Sequence, residues 1–74
     1  MKNSQKENLI IKKELLKTVN ISISLVEMQR EYKFRYRINQ VDIDSNQNIE
    51  TKFYPENMYT EALDYYNKLL DTNN

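Results

Sequence analysis

The alternation of apolar and polar positions predicts a β-sheet in the middle of this chain. Between residues 19 and 54, three runs alternate with a period of two, which is typical of half-buried strands. The runs are Val19–Leu25, Tyr32–Ile38 and Ile49–Phe53. After the second run the apolar phase moves to Val41 and Ile43, which indicates a bulge near residues 39 and 40. We therefore expect an antiparallel three-stranded meander.

The turns of this meander have to form without glycine, because the chain contains none. The sequence places the first reversal at Gln29–Glu31 and the second at Ser45–Asn48. Tight turns need residues with positive φ, and asparagine tolerates that conformation better than most residues. We expect asparagine to take this role, and we expect Pro55 to end the third strand by removing a ladder donor.

A first helix is predicted before the meander. Ser4 followed by Glu7 fits a capping box, and Gln5–Lys17 consists mostly of good helix formers. The apolar stripe of this segment is irregular, so an extended Leu9–Ile11 is the alternative.

A second helix is predicted after the meander, with Asn57 as its cap. Its apolar residues recur at the spacing of one helix face, namely Tyr59, Ala62, Leu63, Tyr66, Leu69 and Leu70. An antiparallel sheet can bury one face under both helices and leave the other face open. The predicted fold is therefore α+β, in the order αβββα.

Composition limits the domain count and the available chemistry. A chain of 74 residues with 39% hydrophobic residues can build one small core, so residues 1–74 are expected to form a single domain. Cysteine and histidine are absent, which removes disulfides, thiolate and imidazole catalysis and the usual zinc ligands. We expect no enzymatic activity, no cofactor and no metal site.

Membrane insertion and export are not expected either. The longest apolar run is Leu9–Ile11, whereas a membrane span needs roughly 20 residues. The chain also shows no n-region, h-region and small-residue cleavage site. We therefore expect a cytoplasmic protein with no membrane partner.

Any electrostatic recognition has to come from a local group of like charges, because 11 Lys and Arg balance 11 Asp and Glu over the whole chain. In the predicted meander, the open face carries Asn20, Ser22, Ser24, Lys33, Arg35, Arg37, Glu50, Lys52 and Tyr54. Arginine and lysine in a row suit carboxylates and phosphates. The candidate binding residues are Arg35, Arg37, Lys33, Lys52, Arg30 and Tyr54. The alternative is that the cations only keep the sheet soluble.

The aromatic residues are expected to serve mainly the core. Tyr32, Phe34, Tyr36 and Phe53 are in phase with the aliphatic side of their strands. Only Tyr54 is predicted on the open face, so base stacking is the less favoured interpretation.

These features favour a small non-enzymatic binding protein. The leading hypothesis is a stoichiometric inhibitor or interaction module, with an anti-defence role and a phage or mobile element as its source, that docks on an acidic surface of a host protein. One alternative is a homodimer or higher oligomer that sequesters a nucleotide-like anion. Another is weak nucleic-acid binding through the same face.

The predicted element order resembles that of the double-stranded RNA-binding domain. That family grips RNA with a Gly-Pro-x-His loop and a lysine-rich start of its second helix. The corresponding positions here are Gln29–Glu31 and Pro55–Met58, which lack both motifs. We therefore do not assign the chain to that family.

Overall fold

The structure is a computed structural model that describes residues 8–29 and 33–73. Its elements are β1 (Leu9–Leu16), β2 (Ile21–Glu27), β3 (Tyr36–Asp42), β4 (Asn48–Tyr54), a 3-10 turn (Glu56–Met58) and α1 (Tyr59–Asn73). The strands form one antiparallel sheet in the order β1-β2-β3-β4. The predicted α+β class is confirmed, but the predicted count of three strands is wrong.

The first strand replaces most of the predicted N-terminal helix. Leu9–Leu16 pairs with β2, with a bulge between Ile10 and Lys12. Helix propensity is a weak preference, and strand pairing satisfies the backbone groups of both segments together. The extended alternative for Leu9–Ile11 was therefore the correct one. The predicted capping box at Ser4 and Glu7 lies outside the described residues.

Two asparagines supply the positive φ angles of the hairpins, but only Asn46 lies in a predicted turn, whereas Asn20 was predicted within a strand. Asn20 has φ 60° in the turn between β1 and β2, and Asn46 has φ 59° between β3 and β4. The second turn is also held by Asp42, whose Oδ2 accepts hydrogen bonds from the backbone N–H and the hydroxyl of Ser45, both at 2.9 Å. These two hydrogen bonds lower the pKa of the Asp42 carboxyl. The predicted turn at Gln29–Glu31 lies mostly outside the described residues.

Helix α1 covers one face of the sheet, and the core lies between them. Ala62 and Tyr66 are buried against Ile23, Leu25 and Ile38 of the two central strands. The predicted helix stripe is thus the packing face, with Leu63, Leu69 and Leu70 half-buried around it. Asn57 does not cap α1 directly, because it lies inside the 3-10 turn that follows Pro55.

The buried face of β4 is the opposite of the one that its alternation predicted. Tyr54 is paired with Tyr36 and belongs to the core cluster, whereas Phe53 is paired with Arg37 on the other face. The phase change after Ile38 does not come from a bulge in β3, because β3 pairs with β2 without interruption. Ile38 pairs with Leu25 on the covered face and Val41 pairs with Ser22 on the open face, so β3 carries apolar residues on both faces. The extra residue at Gln40 belongs to β4, where Gln40 pairs with Glu50 and Val41 pairs with Asn48.

Candidate binding surface

The sheet face opposite α1, called the open face below, is a surface that the fold leaves for a partner. In the described part of the chain, no helix packs on this face. Directly opposed residues of antiparallel strands share a face, so the pairing defines its members. They are Ile10, Lys13, Leu15, Ser22, Ser24, Val26, Arg37, Asn39, Val41, Asn48, Thr51 and Phe53.

The sheet separates charges that cancel in the sequence. The carboxylates of the four strands, Glu14, Glu27, Asp42 and Glu50, all occupy positions on the face that α1 covers. Of the charged strand residues that are described, only the cations Lys13 and Arg37 lie on the open face. A chain of zero formal charge therefore presents one cationic face.

One end of the open face forms a cleft, called the aromatic cleft below. It is lined by Met28, Lys33, Phe34, Arg37 and Phe53, and its volume is about 330 Å³. The rings of Phe34 and Phe53 are stacked with their centroids 5.6 Å apart, and Lys33 Nζ lies 5.8 Å from the centre of the Phe34 ring. Phe53 is 47% exposed. The cleft thus combines aromatic walls with two cationic side chains.

Two polar atoms near the cleft are buried without a partner among the described residues. They are Nε of Arg37 and Oδ1 of Asn39, at neighbouring open-face positions of β3. A buried donor or acceptor that lacks a hydrogen bond costs roughly 1 to 3 kcal/mol. A bound group that accepts a hydrogen bond from Arg37 would remove that cost.

The predicted row of cations divides between two places. Arg37 lies on the open face, as predicted, and Lys33 lies at the cleft, in the segment before β3 rather than in the predicted strand. The guanidinium of Arg35 instead donates from Nε to Oε2 of Glu27 at 3.0 Å, and this hydrogen bond raises the pKa of Arg35. Because Glu27 is paired with Tyr36 on the covered face, Arg35 is turned away from the open face. Arg30 lies outside the described residues.

The predicted open-face positions of Lys52 and Tyr54 are wrong. Tyr54 is 7% exposed, and burial raises the pKa of its phenol. Lys52 Nζ lies 4.5 Å from the ring centre of Tyr65 on α1, which is a cation–π distance. The neighbouring Glu50 accepts a hydrogen bond from Gln40 Nε2 at 2.7 Å. These side chains of β4 therefore lie on the face that α1 covers.

The sequence does not reveal four of the residues on which the cationic face and the cleft depend. It predicts Lys13 in a helix and Phe34 and Phe53 in the core, and it indicates no role for Met28. The signal for Phe53 was weak, because Phe53 and Tyr54 are adjacent aromatics on opposite faces. Only pairing with β3 decides which of the two is buried.

Residues 8–29 and 33–73 contain no group of carboxylates that could hold a metal ion, and no helix there is long and apolar enough to cross a membrane. Fold and surface together define a small α+β protein whose single sheet is covered by one helix on one side. Comparisons with protein-family models, curated proteins and solved structures found no match to the chain.

Proposed function

We propose that this chain is a small non-enzymatic binding protein that docks on an acidic surface of a partner protein through its open face. It acts stoichiometrically, as an inhibitor or interaction module encoded by a phage or another mobile element. The observation that supports this proposal is the charge separation across the sheet, which leaves Lys13, Lys33 and Arg37 beside exposed apolar side chains. Aromatic residues and arginine are enriched at protein interfaces.

The size of the open face agrees with this role. Strands of seven or eight residues at about 3.3 Å per residue, spaced by about 4.8 Å, give a flat area on the order of 400 Å². The accessible surface is larger, because side chains project from the sheet. A standard interface buries about 800 Å² per partner, so the open face with its flanking loops suits a small or transient interface.

The charge pattern argues against a dimer formed face to face by two copies. Such a dimer would bring Lys13, Lys33 and Arg37 of one copy against the same cations of the other. Unpaired like charges are costly when an interface removes water from them. An acidic partner satisfies the same cations instead.

Nucleic acid is the second candidate, favoured by the exposed Phe53 ring and its stack with Phe34. Bases stack on aromatic side chains of open sheets. However, neutralising three phosphates of a single strand gives a salt slope of only about −2, which is a weak electrostatic contribution. Carboxylates elsewhere on the chain also repel a long polyanion, so the protein partner is the stronger proposal.

The test is affinity purification from the producing cells, followed by native mass spectrometry. The open-face variant combines Lys13→Glu, Lys33→Glu and Arg37→Gln, and Lys68→Glu on the exposed side of α1 is the control. We expect the parent and the control to retain one protein at fixed stoichiometry, and the open-face variant to lose it while keeping its circular dichroism spectrum. Retention of the same partner by the open-face variant would rule out this surface. Retention of nucleic acid alone would favour the second candidate.

A further inference from the structure

The aromatic cleft has features of a specific site within the wider open face. Its volume of about 330 Å³ is near the lower end of the range for small-ligand pockets, roughly 300 to 1,000 Å³. Met28 is 5% exposed, and Val26 beside it is 4% exposed, although neither belongs to the core under α1. The open face therefore has a small apolar centre of its own.

The cleft also presents an unused hydrogen-bond donor next to its apolar walls. The Nε–H of Arg37 is buried and has no acceptor among the described residues. Arginine is the side chain best suited to bind carboxylate or phosphate with two parallel hydrogen bonds. Lys33, which is exposed at the rim, adds a second cation within reach of the same group.

We propose that the aromatic cleft binds an aromatic ring that carries an anionic group. The ring packs against Phe53 and Met28, and the anion lies between Arg37 and Lys33. This inference rests on the proposed function and makes it more specific. On a protein partner, the matching element is an aromatic side chain beside a carboxylate. A nucleoside monophosphate offers the same chemistry in a small molecule.

The residues of the cleft give a reason for both parts of the proposed ligand, the aromatic ring and the anionic group. A flat ring is favoured because Phe34 and Phe53 already stack, and aromatic pairs gain more than their buried area alone accounts for. An anion is favoured because Lys33 and Arg37 have no carboxylate neighbour at the open-face positions of the described strands. A neutral ring would leave Arg37 Nε without an acceptor.

The test is a nuclear magnetic resonance titration of the labelled full chain with phenylacetate. A fragment of this size is expected to bind with a dissociation constant on the order of a few mM. Signals of Phe34, Arg37 and Phe53 should shift. Phenylacetamide, which has the same shape and no charge, should bind at least about tenfold more weakly. Equal binding of both fragments, or shifts that map elsewhere, would overturn the proposal.

Two substitutions make the test specific to the cleft. Arg37→Gln should weaken phenylacetate about tenfold or more, and Arg37→Lys, which keeps the charge but loses the fork, should give an intermediate loss. Lys68→Gln on α1 is the matched control and should change nothing. Unchanged binding by both Arg37 variants, with their spectra still dispersed, would contradict the assignment.

The outcome separates this inference from the proposed function. If the chain captures an acidic partner but phenylacetate does not bind, the docking face stands and the cleft assignment fails. If phenylacetate binds but no protein is captured, the cleft stands and the docking proposal fails. N-acetylphenylalanine and uridine monophosphate, titrated in parallel, distinguish the two sources of the ligand, because the tighter of the two identifies the natural one.

Discussion

The binding surface depends on which of two adjacent aromatic residues of β4, Phe53 or Tyr54, faces outward. Replacing each of them with a smaller residue tests this assignment. Tyr54 is 7% exposed, whereas Phe53 is 47% exposed. An aromatic side chain buries about 150 to 250 Å², which at about 25 cal/mol per Å² gives about 4 to 6 kcal/mol for full burial. We therefore expect Tyr54→Ala to cost about 3 to 5 kcal/mol and Phe53→Ala about half as much.

The total stability sets the form of the experiment. At about 0.05 to 0.15 kcal/mol per residue, a chain of 74 residues has about 4 to 11 kcal/mol. Tyr54→Ala removes much of this, so Tyr54→Leu is the milder companion variant. Urea unfolding followed by far-ultraviolet circular dichroism gives the free-energy change from the shifted midpoint at constant slope. If Phe53→Ala destabilises the fold as much as Tyr54→Ala, the assignment of Phe53 to the open face is refuted, and a larger cost for Phe53→Ala would mean that β4 is turned the other way.

Substitutions at three further positions test the turns and the titrating groups. Asn46→Ala should cost about 1 kcal/mol or more in urea unfolding, because alanine lacks the polar side chain that lets asparagine tolerate positive φ, whereas Asn46→Gly should be nearly neutral. The lowered pKa of Asp42 stabilises the fold above the ordinary carboxyl value of 3.8, and this contribution is lost as pH falls below it. The melting temperature of Asp42→Asn should therefore fall less than that of the parent between about pH 5 and about pH 2. The pKa of Tyr66 is raised above 10.0 by burial and by Glu14, so stability falls as pH rises above that value, and Tyr66→Phe should reduce the alkaline decrease in melting temperature.

Local sequence determined most of the elements of this fold. Alternation with a period of two located β2 and β4 closely, because each strand has one buried face. It placed the middle strand at Tyr32–Ile38, whereas β3 is Tyr36–Asp42, so the two share only Tyr36–Ile38. The helical spacing from Tyr59 to Leu70 located α1 and its packing side for the same reason. The lack of glycine indicated asparagine at the turns, and Asn46 takes that position in the predicted Ser45–Asn48 turn. The turn at Asn20 was not predicted, because Asn20 was expected within a strand and on the open face. Each of these features depends on residues that are close in sequence.

The site depended on contacts that are distant in sequence. Arg35 and Arg37 alternate alike in the chain, yet Glu27 on the neighbouring strand draws Arg35 away from the open face. The cations that remain there come from β1, from β3 and from the segment before β3. Only the assembled sheet brings Lys13, Lys33 and Arg37 onto one face.

The sequence by itself therefore determined that this chain forms a half-buried antiparallel sheet with a C-terminal helix. The tertiary structure decided that Leu9–Leu16 is a strand and that Phe53, rather than Tyr54, faces outward. The physical reason is that alternation separates the two faces of a strand without stating which one is buried. That choice is made by register against a neighbouring strand, which pairs Tyr54 with Tyr36 on the covered face and Phe53 with Arg37 on the open face.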